Sequence, residues 1–169
     1  RGAVVIEDGL ISAVGDDLYF PETAEITDYG DHLICAGFVD GHAHYPQINI
    51  IASYGMQLLE WLNTYTFPEE TRFSDPSIAQ QASKIFLDEL LMNGYTTAAV
   101  YCTSHPVSVD AFFTEASERN LRMIAGKVLM DRNAPEELLE TAQTGFDQSK
   151  SLINKWHGRG RNLYAITPR

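Results

Sequence analysis

The stretch Gly37-Phe38-Val39-Asp40-Gly41-His42-Ala43-His44 decides how this chain is read. Small and apolar residues lead into two histidines one residue apart. On an extended strand successive side chains alternate between faces, so residues i and i+2 point the same way. His42 and His44 therefore aim both imidazoles at one spot. Neutral imidazoles converging at the end of a buried strand suit a divalent metal ion, and a metal suggests a hydrolase. Two ligands do not complete a coordination sphere.

The sequence on either side gives this strand its setting. Residues 3–14 hold two β-branched runs flanking Asp8-Gly9, the signature of a hairpin closed by a type I′ turn. Residues 16–31 are polar and read as a loop, with a short strand expected at 25–28 and another at 32–35. Residues 1–35 thus form a small β element ahead of the main fold. After the strand at 37–41, residues 56–65 read as a helix that Pro68 should limit. Asp75-Pro76 opens the next helix as N-cap and first residue, with Ile78, Ala82, Ile85, Phe86 and Leu90 at helical spacing and Asn93-Gly94 as its stop. Strands are expected at 95–102, 121–129 and 162–166. They alternate with helices at 107–119 and at 135–156, the latter entered at Pro135. Glu136-Glu137 would then occupy the first turn, where the helix dipole favours acids. The order β-αβαβαβ implies a parallel sheet, and chemistry on such sheets sits at the carboxyl ends of the strands. The segments after the later strands, Thr103-Ser104-His105, Met130-Asp131 and Thr167-Pro168-Arg169, should share a rim with His42 and His44.

Composition narrows the function classes. With 169 residues, 44% of them hydrophobic and 21% charged, the chain can build a real core. Its net charge of −11 argues against nucleic acid as a partner and fits a soluble cytoplasmic surface. Two distant cysteines, Cys35 and Cys102, cannot make a disulfide framework. Each sits in an apolar run and reads as a small core residue in a reducing compartment. No apolar run approaches the roughly 18 residues that cross a bilayer, so no membrane is expected. No signal peptide is visible, although the chain starts at Arg1 rather than Met.

The motif resembles the first metal-binding strand of the amidohydrolase superfamily, and Leu10-Ile11-Ser12-Ala13-Val14-Gly15 is similar to the start of that superfamily's small β-sandwich. His44-Tyr45-Pro46-Gln47, Leu58-Leu59-Glu60-Trp61-Leu62 and Tyr65-Thr66-Phe67-Pro68-Glu69 narrow the resemblance to its guanine deaminase branch. Asn93-Gly94-Tyr95-Thr96-Thr97, Gly126-Lys127-Val128 and Thr167-Pro168-Arg169 agree with it. The resemblance implies an α/β fold: the N-terminal half of a (β/α)8 TIM-type barrel at 36–169, strands one to four, preceded by part of a small β-sandwich at 1–35. It implies one Zn2+ per active site and hydrolysis of guanine to xanthine and ammonia. His42 and His44 would bind the metal, and Gln47 and Arg169 would contact guanine. The proton-shuttling glutamate and the remaining ligands are expected beyond Arg169, so these residues alone should be inactive. The full-length protein is expected to be a cytoplasmic homodimer.

Other residues and readings carry less. His105 falls on the rim but reads as a loop residue, while His32 and His157 read as surface or edge residues. Trp61 packs by its spacing and could wall the pocket, and Glu60 reads as a helix-surface carboxylate. A zinc deaminase of the cytidine type needs His-x-Glu and Pro-Cys-x-x-Cys, both missing here. Two alternatives stay open: an amidohydrolase acting on another heterocyclic amine, and a non-catalytic barrel homologue serving as a scaffold.

Overall fold

A computed structural model describes residues 2–16 and 18–169, so Asp17 in the expected loop lies outside the described residues. The chain divides into two compact units, Arg1–Cys35 and Ala36–Arg169. In the first unit, β1 (Ala3–Glu7) and β2 (Leu10–Gly15) pair antiparallel. Asp8 and Gly9 both take positive φ, 50° and 77°, as a type I′ turn requires. The strands expected at 25–28 and 32–35 do not form. No neighbouring strand among the described residues takes their ladder hydrogen bonds, and the backbone there is irregular. Cys35, in that second segment, is exposed rather than core; Cys102 is buried as expected. A second sheet layer, which a sandwich needs, is not present among the described residues of this unit.

The second unit is a parallel α/β assembly. Strands β3 (Phe38–His44), β4 (Tyr95–Tyr101), β5 (Arg122–Gly126) and β7 (Leu163–Tyr164) stand side by side in sequence order. The third and fourth each resume after a break, as β6 (Val128–Leu129) and β8 (Thr167–Pro168), which pair with each other. Gly126 marks the break: a Cβ there would lie 2.0 Å from the Ala165 carbonyl oxygen, so only glycine lets the two chains approach this closely.

The crossover helices follow their sequence signals, with two exceptions. Helix α3 (Pro76–Met92) is capped by Asp75, whose carboxylate accepts the Ser77 N–H at 2.8 Å. Helix α4 (Pro106–Glu118) starts at a proline in the same way. The first exception is Pro68, which does not end its helix. Helix α1 (Leu58–Trp61) runs through a π-helical turn (Leu62–Thr66) into α2 (Phe67–Thr71). The Phe67 N–H bonds back five residues to the Leu62 carbonyl. This wider turn gives room for the proline ring, which would strike a carbonyl four residues back in a regular α-helix. The second exception is the helix expected over 135–156. Only a 3-10 turn (Glu136–Leu138) follows Pro135, and α5 (Ala142–Trp156) begins at Thr141, whose hydroxyl accepts the Thr144 N–H at 3.0 Å. Two tertiary contacts hold the intervening residues off the helix: Leu138 is buried against Phe67, Val128 and Met130, and Glu140 reaches Lys127.

The core lies between the sheet and α3, α4 and α5, and it is aromatic. Tyr45, Phe73, Phe86, Phe112, Phe113 and Trp156 are all buried, with ring centroids 5.1–6.2 Å apart along the chain of contacts. Each such side chain contributes roughly 1.5–3 kcal/mol of burial.

Candidate active site

The alternation read from the sequence is visible at the end of β3. Ala43 packs against the core cluster and Tyr45 lies fully within it, while His42 and His44 turn to the opposite face. The Tyr45 hydroxyl donates to the Ser108 carbonyl at 2.7 Å, pinning the strand end to α4. On the other face the two Nε2 atoms stand 3.1 Å apart. Two nitrogens sharing one tetrahedral divalent ion at about 2.0–2.1 Å lie about 3.3 Å apart, so the pair fits such an ion. Tyr101, at the end of β4, stacks on His44 at 4.6 Å and leans on His42 at 4.9 Å, fixing both rings. The Asp40 carboxylate accepts the His42 backbone N–H at 2.9 Å. Burial, then the positive charge of Arg169, then His42 hold His44 down to about 4. It is therefore neutral at pH 7, the form that binds a metal. No third His, Cys, Asp or Glu joins the pair among the described residues.

Beside the histidines opens a cavity of about 410 Å³, lined by His42, His44, Gln47, Ile48, Trp61 and Phe86 among others. This is the size of small-molecule sites, roughly 300–1,000 Å³. Trp61 thus walls the pocket. Gln47 sits on the 3-10 turn (Tyr45–Ile50) that follows β3. Arg169 follows β8, and its backbone N–H donates to the Leu129 carbonyl at 3.2 Å. These two residues meet at Glu70, which sequence reasoning missed. The Glu70 carboxylate has no exposed surface; it accepts Gln47 Nε2 at 3.2 Å and Arg169 at 2.7 and 2.5 Å. Neighbouring Glu69 accepts Asn49 Nδ2 at 2.8 Å and Arg72 at 2.6 Å. Consecutive carboxylates on α2 therefore staple that helix to the turn carrying Gln47. Their one signal in the sequence is a Glu-Glu pair directly after a proline in an aromatic helix.

The other expected rim residues divide. His105 follows β4, with its Nε2 buried and unpartnered among the described residues. Burial, then the charge of Lys127, lowers its pKa. Lys127, fully buried between β5 and β6, donates to the Glu140 carboxylate and to the Val128 carbonyl at 3.3 Å. Burial lowers its pKa against the opposing pull of Glu140. Asp131 is exposed. His32 is exposed against the Tyr29 carbonyl at 2.6 Å, and His157, also exposed, accepts the Tyr164 N–H at 3.1 Å; both are structural. Glu60 is exposed on its helix.

The fold is shared with known proteins. The guanine deaminase of Escherichia coli K12 is 52% identical over 172 aligned positions, covering 99% of this chain and 39% of that protein. The chain thus spans about two fifths of the length of that curated relative. The solved E. coli guanine deaminase superposes with a TM-score of 0.94 at 52% identity, over 99% of this chain and 40% of that one. Guanine deaminase from C. acetobutylicum, solved with guanine bound in its active site, gives 0.90 at 32% identity, over 98% and 40%. Residues 33–168 match the Amidohydrolase family, and this chain belongs to that family.

Proposed function

We propose that this chain is part of a zinc-dependent guanine deaminase, an enzyme that hydrolyses guanine to xanthine and ammonia. In this reading residues 36–169 are the first half, strands one to four, of a (β/α)8 barrel, and residues 1–35 are part of a small β-sandwich. The observation that carries the proposal is the gathering of His42, His44, Gln47 and Arg169 around the carboxyl end of one parallel sheet. The sequential strand order β3-β4-β5-β7 supports the half-barrel. The likeness to guanine deaminases supports the substrate.

His42 and His44 would hold the zinc, which supplies the Lewis acidity that makes water a usable nucleophile near neutral pH. Gln47 and Arg169 orient the base, and Arg169 stabilises negative charge that develops on the ring as its amidine carbon is attacked. Trp61 and Phe86 exclude water from the pocket wall. The proton carried to the leaving amine needs a carboxylate. We assign that carboxylate and the remaining ligands to segments beyond Arg169. On the resemblance alone the full-length enzyme acts as a cytoplasmic homodimer; among the described residues no helix is long and apolar enough to cross a membrane.

The test is xanthine formation by the full-length protein, with zinc content measured alongside. Turnover of guanine with one zinc per subunit, lost together in His44→Ala, is the expected result. A metal-free protein without activity would favour the scaffold alternative, and turnover by residues 1–169 alone would refute the half-site assignment.

A further inference from the structure

Glu70 joins the two side chains that, on the proposed function, contact the base. We propose that Glu70 is a positioning residue that sets the hydrogen-bond polarity of the base pocket and so selects oxopurines over aminopurines; the inference rests on that reading of Gln47 and Arg169. A carboxylate can only accept hydrogen bonds. The amide nitrogen of Gln47 must therefore face Glu70, as it does at 3.2 Å. Its Oε1 is then turned away, carries no protein partner among the described residues, and belongs to a side chain lining the cavity beside the histidines. Glu70 thus fixes which way round the amide stands, and with it the place at which Gln47 offers its acceptor oxygen. Arg169 spends Nη1 on both Glu70 oxygens and keeps Nη2 and Nε, which have no protein partner among the described residues. Arg169 can only donate. Gln47, on the cavity wall, thus presents an acceptor oxygen at a fixed place, and Arg169, joined to it through Glu70, presents a cationic donor.

A base edge that carries a ring N–H and a carbonyl matches this pair. An edge that carries a ring nitrogen lone pair and an amino group reverses it. Guanine has the first edge at positions 1 and 6, and 2,6-diaminopurine has the second on the same skeleton with the same reacting 2-amino group. Without the Glu70 charge the Gln47 amide is free to turn over and Arg169 is released, so the reversed edge is no longer rejected.

The experiment compares kcat/KM for guanine and for 2,6-diaminopurine in the full-length zinc enzyme, wild type against Glu70→Gln and Glu70→Asp. Glu70→Gln should raise KM for guanine by about tenfold or more, with a smaller change in kcat and zinc content unchanged. It should also narrow the guanine preference by about tenfold or more. Glu70→Asp, which keeps the charge but is one methylene short of bridging both partners, should narrow it less. A merely structural loss would depress both substrates together and leave their ratio alone. A ratio unchanged in Glu70→Gln, while guanine is still deaminated, overturns the inference and leaves the proposed function standing. If Glu70→Gln does not fold, Glu70→Asp must show the narrowing; if neither folds, Glu70 is structural and the inference falls. No guanine turnover by the wild type overturns the function and the inference together.

Discussion

Lys127→Met separates charge from packing at the buried ion pair on the sheet rim. Lys127 has no exposed surface, and its ammonium is shared between the Glu140 carboxylate and the Val128 carbonyl. The Glu140 side chain is 9% exposed, and its Oε2 already lacks a partner among the described residues. Methionine follows the lysine stem and fills similar space, so the packing change is worth less than about 1.5 kcal/mol. What remains is a carboxylate shut away from water with no counter-charge. Removing one partner of such a pair costs about 3–5 kcal/mol, and the slight exposure of Glu140 places this case near about 3. Lys127→Met with Glu140→Leu removes both charges, and should return to within about 1–2 kcal/mol of the wild type. The assay is denaturant unfolding of the full-length protein and the three variants of the cycle, comparing midpoints at constant slope. A single-variant loss below about 1 kcal/mol, or a double variant no more stable than Lys127→Met, would refute the reasoning by showing that water reaches the pair.

Three further outcomes follow from the geometry. Tyr101→Ala removes the ring that stacks on both imidazoles, and should weaken zinc binding by about 10–100-fold in chelator competition; unchanged affinity would show that the histidines hold their rotamers unaided. His105 has a lowered folded pKa, so the unfolded chain takes up its proton first and the stabilisation is complete only above about 6.5. Between about pH 7 and pH 5 the wild type should therefore lose more stability than His105→Gln, and parallel pH profiles would contradict the burial of that ring. Thr141→Ala should cost about 1 kcal/mol, measurable by urea unfolding, because the hydroxyl satisfies the Thr144 N–H at the true start of α5.

The parts of the fold legible in the sequence were those with local causes. Asp8-Gly9 needs no partner to prefer positive φ, and Asp75-Pro76 carries its own cap, so the hairpin and α3 lie where their signals place them. The alternation of His42, Ala43, His44 and Tyr45 likewise follows from strand geometry once one face is buried. The misreadings share a different cause. An apolar run such as 32–35 is a strand only if a neighbour takes its hydrogen bonds, and none does among the described residues. Pro135 resembles a helix start, but the interval to Thr141 is drawn away by Leu138 and Glu140, whose partners lie on other elements.

Glu70 shows why the convergence of His42 and His44 is legible in the sequence while the contact that joins Gln47 to Arg169 is not. His42 and His44 are neighbours on one strand, so their convergence is written in two positions. Glu70 meets Gln47 across 23 residues and Arg169 across 99, and no periodicity links them. Even correct helix placement would have misdirected it. Successive residues of an α-helix are turned by about 100°, so a regular continuation from Leu58 through 66 would present a different side of α2 to the turn at Gln47. The π-helical turn over Leu62–Thr66 changes that phase, and Glu69 and Glu70 then face Asn49 and Gln47 together. Pro68 works with this turn, because it tolerates the wider spacing and supplies no N–H that the irregular ladder would leave unpaired. The residue that reads as a helix terminator is part of what aims a buried carboxylate at Gln47 and Arg169.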